Sequence, residues 1–152
     1  MKEEIDAGNV AFGKDEKTIP SIRRNLFDKD EQVMRSVNFS YAQKASQDLA
    51  KIFNGKKVFD NPKNYLDLAR LVEYLTGAGD IVCDFFAGSG STAHSIFAVN
   101  KRTGQRRKMI SVQLPETIDG GSESGRNAVT LGHETISQLC LDRIARALID
   151  IY

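Results

Sequence analysis

Apolar positions along the first half of the chain follow the helical period in two places. Between Tyr41 and Phe53, the small and apolar residues Ala42, Ala45 and Leu49 fall on one stripe, which predicts a helix. A second helix is expected after Pro62, with Asn64 as its amino-terminal cap and Asp67 three residues later, as in a capping box. Leu68, Ala69, Val72 and Leu75 give its apolar face, and Gly77 and Gly79 are expected to close it.

The pattern changes at residues 80–86, "DIVCDFF", where the apolar residues become nearly continuous. Such a run is typical of a strand in a parallel sheet that is covered on both faces. Two glycines follow it, then a helical repeat through Ala93, Ile96 and Phe97, and then a second apolar run, "MISVQL", at residues 109–114. Strand, glycine turn, helix and strand in this order predict a βαβ unit and hence an α/β fold.

The two ends of the chain are less regular. Residues 9–21, "NVAFGKDEKTIPS", suggest a hairpin or loop with little core of its own, and the Gly-rich residues 117–129 suggest a mobile loop. The final segment again has the helical period. Its stripe is expected to lie in the core rather than to form a partner surface, and it comprises Ile136, Leu139, Cys140, Ile144, Ala147, Leu148 and Ile151.

Composition limits the classes of protein that fit this pattern. The 152 residues suffice for one ordinary domain, and 21 basic against 20 acidic residues give a net charge of +1, which supplies no global attraction to nucleic acid or membrane. Without a long apolar run or a leader-like start, the chain is expected to be soluble and cytoplasmic, with no membrane partner. Cys83 and Cys140 are expected to be buried reduced thiols, and two histidines are too few for a zinc cluster.

The glycine turn is the strongest candidate for a binding site. Glycines at 88 and 90 let a backbone approach a ligand closely, although tight packing is an alternative reason for them. Asp84 lies at the carboxyl end of the preceding strand. A carboxylate about 4 Å from a phosphate would cost about 4 kcal/mol at an effective dielectric constant of 20, which disfavours a phosphorylated ligand. A ligand with a cationic end and no phosphate, such as S-adenosylmethionine, suits the turn better.

The residues around this turn resemble a known family. Residues 84–92, "DFFAGSGST", match every fixed position of the cofactor motif D-x-F-x-G-S-G-[ST]-T of amino-methylating DNA methyltransferases. Residues 59–64, "FDNPKN", are similar to the F-D-x-P-K-P loop of the Mod subunits of type III restriction-modification systems, with Asn64 in place of the second proline. The strand at 107–116 and the phrases at 13–26 and 134–147 also resemble that family, so the likeness covers nearly the whole chain.

The resemblance implies a partial Rossmann-like S-adenosylmethionine-dependent methyltransferase fold, the βαβ cofactor-binding half with flanking helices. Asp84 would hold the methionine ammonium, and Gln113 would hydrogen-bond the ribose hydroxyls. The backbone of the turn would contact the cofactor, and the F-D-x-P-K-P loop would lie over its methionine end. The implied cofactor-binding residues are Asp60, Asn61, Pro62, Lys63, Asp84, Phe85, Phe86, Ala87, Gly88, Ser89, Gly90 and Gln113.

The second half of the family's active site is missing from these residues. In the family that the chain resembles, a D-P-P-Y type motif holds the flipped base, and here Pro20, Pro62 and Pro115 all stand alone. No catalytic residue is therefore assigned, and the chain resembles a carboxyl-terminal portion. Residues 1–55 would end the target-recognition region and include a linking helix, and residues 56–152 would bind the cofactor.

Implied partners are double-stranded DNA, the amino-terminal catalytic part of the same subunit, a second Mod subunit and a restriction subunit. The isolated chain is expected to be inactive and to bind cofactor weakly. Two alternatives remain: a noncatalytic remnant or assembly module with this fold, and a binder of phosphorylated ligands.

Charged and hydroxylic residues near the motif have ordinary explanations as well. The basic segment 101–108, "KRTGQRRK", and the pair Arg23 and Arg24 could contact DNA phosphates, but a solvated turn is the more common role for such residues. Ser91 and Thr92 are expected to cap the helix that follows the glycines.

Overall fold

The computed structural model describes residues 2–23 and 40–152, and the chain divides into two compact units, residues 1–36 and 37–152. In the first unit, helix α1 (Lys2–Asp6) precedes strands β1 (Val10–Ala11) and β2 (Ser21–Ile22), which pair antiparallel with Val10 opposite Ile22. The predicted hairpin is therefore confirmed. Arg24, one of the two basic residues considered for DNA contact, lies outside the described residues.

Helices α2 (Ala42–Ile52) and α3 (Tyr65–Leu75) form where the apolar stripes predict them. The Asn64 side chain accepts a hydrogen bond from the Leu66 N–H at 3.0 Å, so the predicted cap of α3 is confirmed. The other end differs from the prediction. Helix α3 ends at Leu75 and the next residue, Thr76, is extended, so Gly77 and Gly79 come after the helix instead of closing it.

The predicted βαβ unit is present. Strand β3 (Ile81–Asp84), helix α4 (Ser91–Thr103) and strand β4 (Lys108–Ser111) follow one another, and the two strands pair in parallel with Asp84 opposite Ser111. Gly104 ends α4 in the left-handed conformation, which lets the chain reverse toward β4. The predicted α/β class is confirmed, and the parallel register brings the carboxyl ends of both strands to one edge.

Only one face of this two-stranded sheet is covered within the described residues, so the prediction that both faces are buried is wrong. Val82 and Met109 pack against a core that α3 and α4 supply, made of Ala69, Val72, Ile96 and Val99. The opposite face, which carries Ile81, Cys83 and Ile110, is exposed. The prediction of a buried Cys83 is wrong for the same reason. Successive side chains of a strand point to opposite faces, and that of Cys83 lies on the uncovered face. Cys140 is buried as predicted.

The Gly-rich segment after β4 is not the predicted loop. It contains helix α5 (Glu123–Thr130), which the Ser122 side chain caps by accepting from the Gly125 N–H at 3.0 Å. Ala128 on this helix is fully buried against a second core with Leu49, Phe53, Val58 and Leu139. Burial in a core built from distant residues therefore outweighs the unfavourable local composition.

Helix α6 (Ile136–Ile151) closes the chain and begins at a capping box of Thr135 and Gln138. It packs against α4 and α2, and Leu139, Cys140 and Ala147 from the predicted stripe are buried. Helix α2 lies in the same compact unit as residues 56–152, and the division of function predicted between residues 55 and 56 stays a prediction. In residues 2–23 and 40–152, no helix is long and apolar enough to cross a bilayer.

Candidate functional site

The glycine turn, residues 85–90, joins the carboxyl end of β3 to α4. Asp84 ends the strand, and its carboxylate is held on both oxygens: Oδ1 accepts from the Phe86 N–H at 3.0 Å, and Oδ2 accepts from the Thr92 hydroxyl at 2.6 Å. Asp84 is half-buried, so these two bonds fix a negative charge at the mouth of the turn.

Backbone donors of the turn are mostly used inside the protein. The Ala87 N–H donates to Val112 O at 3.1 Å, the Gly88 N–H to Gln113 Oε1 at 2.7 Å, and the Gly90 N–H to Ala87 O at 2.7 Å. A phosphate-binding turn needs such N–H groups to face the ligand. Together with the Asp84 carboxylate, this arrangement disfavours the alternative of a phosphorylated ligand.

The two glycines have different structural reasons. A Cβ on Gly90 would lie 3.2 Å from Cys140 Sγ and 3.3 Å from Cys140 O, so at this position the packing explanation is correct. A Cβ on Gly88 would meet only Phe59 Cζ and Phe86 O, both at 3.9 Å. Both glycines have positive φ, at 52° and 79°. The side of the turn that is open to a ligand is therefore at Gly88.

The hydroxyls after the glycines do not cap α4, so that prediction is wrong. Gly90 is the amino-terminal cap residue, and no side chain bonds to the first turn as a cap. Thr92 donates to Asp84 instead, and the Ser91 hydroxyl accepts from Arg143 at 2.7 Å. Thr92 thus helps to position the Asp84 carboxylate, which the sequence analysis predicts to bind the ligand.

The loop at residues 59–64 lies beside the turn. Phe59 is the side chain nearest to the open side of Gly88, and the Tyr65 ring stacks on the His94 ring with centroids 3.7 Å apart and planes 7° apart. Because Tyr65 follows Asn64 and His94 lies in the first turn of α4, the stack joins the two segments that the sequence assigns to one site. The structure therefore brings both predicted segments together.

Asp60 and Asn61 line a cavity of about 490 Å³ between this loop and residues 117–125. Hydrogen bonds from Lys57 and Ser124 lower the pKa of Asp60, and the ion pair to Lys57 measures 2.9 Å. Pro62 is buried, and Lys63 is exposed. Asp119, Ser122 and Ser124 line the other side of the cavity, a contribution that was not predicted because this segment reads as a loop.

The remaining predicted site residues differ in exposure. Phe85 and Phe86 are 67% and 89% exposed, whereas Ala87, Ser89 and Gly90 are buried. Gln113 follows β4 and reaches the turn, where its amide nitrogen also donates to Leu114 O at 3.2 Å. The proximity of Gln113 to the turn agrees with the expected meeting of two strand ends, and the ligand roles of all these residues stay predictions.

Sequence reasoning missed Arg143, which lies in the apolar stripe of α6 and is only 1% exposed. Its Nη1 donates to Ser89 Oγ at 2.8 Å, to Ser91 Oγ at 2.7 Å and to Ser89 O at 3.2 Å. Burial lowers the pKa of Arg143 to about 10, still far above neutral pH. A basic residue within an apolar helix face was the signal that could have identified it.

The basic segment 101–108 is partly structural. Arg107 is buried and donates to Thr76 Oγ1 at 2.8 Å and to Thr76 O at 2.9 Å, which ties it to the end of α3. Arg102 forms an ion pair with Glu73. The suggestion that Arg107 could contact DNA phosphates is therefore wrong, because its guanidinium is enclosed by protein acceptors.

Comparison with known proteins gives a family and several relatives. A family model described as DNA methylase matches residues 10–119. The chain is 32% identical over 140 residues to the type III restriction-modification enzyme EcoP15I Mod subunit of Escherichia coli, over 91% of this chain and 21% of that protein. It is 30% identical over 141 residues to the StyLTI Mod subunit of Salmonella typhimurium, over 90% of this chain and 21% of that protein.

A further relative is the type II methyltransferase M.KpnI of Klebsiella pneumoniae, which is 37% identical over 104 residues, covering 68% of this chain and 24% of that protein. The predicted likeness to Mod subunits is confirmed. The chain spans about a fifth of the length of the Mod subunits that it matches, at 21% of each.

Proposed function

The chain belongs to the DNA methylase family, and from this premise we propose that it is the S-adenosylmethionine-binding portion of a type III Mod subunit, an enzyme that methylates adenine N6 in double-stranded DNA. Its βαβ unit is the cofactor-binding half of a Rossmann-like methyltransferase domain. The amino-terminal part of the subunit supplies the D-P-P-Y motif, and the complete enzyme acts with a second Mod subunit and a restriction subunit.

The observation that carries this proposal is the arrangement of Asp84, the glycine turn and Gln113 at one edge of the sheet. Asp84 offers a fixed carboxylate beside a turn whose N–H groups at 86, 87, 88 and 90 already have acceptors. Such a site attracts a cation and gives an anion few donors. The ammonium and sulfonium of S-adenosylmethionine fit it, and the cofactor supplies the methyl group that is transferred.

The residues divide the work of holding this cofactor. Asp84 pairs with the ammonium through the lone pairs that Phe86 and Thr92 leave free. Gln113 has a carboxamide within reach of the turn, and its NH₂ group can donate to ribose oxygens while Oε1 holds Gly88. Phe59 borders the open side of Gly88, with its Cζ 3.9 Å from the Cβ position of that glycine, and would contact a ligand bound there.

A second function, an assembly module without catalysis, is favoured by a different observation. Ile81 and Ile110 are 59% and 50% exposed on the uncovered sheet face, which is an apolar surface suited to another protein segment. In this alternative the fold is kept while the cofactor is not bound.

Titration of the ¹⁵N-labelled chain with S-adenosylhomocysteine, followed by NMR, tests the choice. We expect saturable shifts of the Gly88, Gly90 and Gln113 amides with a dissociation constant of about 1 mM, weak because the chain spans only about a fifth of the length of the Mod subunits that it matches. Asp84→Ala should abolish saturation. Asp80→Ala is the matched control, since Asp80 directly precedes β3, at the end opposite to Asp84, and its side chain accepts from the Gly77 N–H at 2.8 Å.

Each outcome decides between the functions. Saturation that needs Asp84 but not Asp80 supports cofactor binding. Absence of saturable shifts in the folded wild-type chain, even at about 10 mM ligand, contradicts it and leaves the assembly role. Equal loss in both variants with equal drops in melting temperature would trace the effect to stability instead of to the carboxylate.

A further inference from the structure

Arg143 presents an energetic problem that its helix position does not explain. A buried guanidinium loses its hydration, and a well-packed apolar residue at such a position often gives an equal or more stable protein. Arg143 is 1% exposed, and the acceptors of its Nη1 are the neutral oxygens Ser89 O, Ser89 Oγ and Ser91 Oγ, none of which cancels its charge. Stability alone is a weak reason for an arginine here.

The position of the guanidinium suggests another reason. Its acceptors lie on Ser89 and Ser91, on either side of Gly90, and α6 also places Cys140 and Ile144 within 3.4 Å of the Cβ position of that glycine. Helix α6 therefore holds residues 89–91 of the turn by both packing and hydrogen bonds. The other side of the turn is held from the strands, by Asp84 through Phe86 and by Gln113 through Gly88.

We propose that Arg143 is a positioning residue that fixes the Ser89–Ser91 backbone and so places the open side of Gly88 for the cofactor. The expected effect of Arg143 on cofactor binding rests on the proposed function. Its expected effect on the conformation of the turn rests on the contacts alone. Loss of the guanidinium leaves the Gly88 bond to Gln113 and the packing of Gly90 on Cys140 in place, but it removes the hydrogen bonds that tie Ser89 and Ser91 to α6.

The same NMR titration tests this with Arg143→Met, Arg143→Lys and Ser91→Ala. In the free chain, Arg143→Met should shift the Gly88 and Gly90 amides, and S-adenosylhomocysteine should bind at least about tenfold more weakly. Arg143→Lys, which keeps a charged donor, should restore affinity to within about threefold of the wild type. Ser91→Ala should move the Gly90 amide in the same direction as Arg143→Met, by a smaller amount.

Arg146→Met is the matched control, because Arg146 lies one turn further along α6 and bonds Asp142 Oδ1 at 2.8 Å, away from the glycine turn. It should lower the melting temperature without changing the turn amides or the affinity. If Arg143→Met is unfolded, Arg143→Lys and Ser91→Ala decide. An unchanged Gly90 amide in Ser91→Ala, or wild-type amides and affinity in folded Arg143→Met, would overturn the positioning role, as would a loss of affinity in Arg143→Lys beyond about tenfold.

Failure of the two proposals can be distinguished. A wild-type chain that does not bind S-adenosylhomocysteine contradicts the cofactor site, whereas the amide shifts of the unliganded variants still test whether Arg143 positions the turn.

Discussion

Replacing Gly90 by alanine separates packing from ligand binding at the glycine turn. Gly90 has φ of 79°, a conformation that costs an alanine about 1–2 kcal/mol. Its new Cβ would also lie 3.2 Å from Cys140 Sγ, 3.3 Å from Cys140 O and 3.4 Å from Ile144 Cγ1. Carbon contacts prefer about 3.5–4.0 Å, so α6 would have to move by a few tenths of an ångström.

That movement is expensive because one of the crowded atoms is a backbone carbonyl in the middle of a helix. Overpacking of this kind costs about 1–3 kcal/mol, which brings the expected loss for Gly90→Ala to about 2–5 kcal/mol. Gly104→Ala is the matched control. Gly104 also has a left-handed φ, 69°, but its Cβ would have no neighbour within 4 Å, so only the conformational cost of about 1–2 kcal/mol applies.

Urea unfolding followed by circular dichroism measures these free energies by linear extrapolation. Gly88→Ala should resemble Gly104→Ala in stability, because its nearest neighbours would lie at 3.9 Å, while it should weaken cofactor binding. Loss of stability in Gly90→Ala that is within about 0.5 kcal/mol of the loss in Gly104→Ala would refute the packing explanation.

Two further changes test buried polar groups elsewhere. Burial, aided by the nearby Arg143 charge, lowers the pKa of His94 from 6.5 to about 4. Between these pH values the unfolded chain binds a proton that the folded chain does not. The free energy of unfolding should therefore fall by up to about 3 kcal/mol as the pH falls through this window. His94→Phe keeps a ring against Tyr65 and should flatten this loss in urea titrations at pH 7 and pH 4.5; an unchanged pH dependence would contradict the assignment. Arg107→Met removes the hydrogen bonds to Thr76 and should lower the free energy of unfolding by about 2 kcal/mol in the same assay. The control Arg106→Met, at an exposed position, should change it by less than about 0.5 kcal/mol. Equal effects of the two substitutions would disprove a structural role for Arg107.

Local periodicity was enough to predict the elements that carry the site. The helical stripes at residues 41–53 and 64–75 and the continuous apolar run before Gly88 can be read directly from the sequence, and each forms the expected helix or strand. The meeting of Asp84, the turn and Gln113 also followed from sequence, since parallel strands bring their carboxyl ends to one edge. These features depend on residues that are close together in the chain.

Apart from the ends of α3 and α4, the errors concern features that depend on distant residues. Helix α5 exists because Ala128 is buried against Leu49 and Leu139, which the composition of residues 117–129 does not reveal. Cys83 is exposed because helices cover only the opposite sheet face. Arg143 and Arg107 find their acceptors 52 and 31 residues away, at Ser91 and Thr76. No periodic pattern encodes such hydrogen bonds.

The two hydrogen bonds to the Asp84 carboxylate have a consequence for how the turn would bind a cation. Because Phe86 and Thr92 bond both oxygens in the free protein, the Asp84 side chain is already held in place before a charged group arrives. Immobilising a mobile side chain on binding costs about 0.5–1.5 kcal/mol, so the free protein has already met that entropic cost. In the proposed binding mode an incoming group shares these oxygens with a hydroxyl, and a compact primary ammonium with three donors is better suited to such sharing than a bulkier cation.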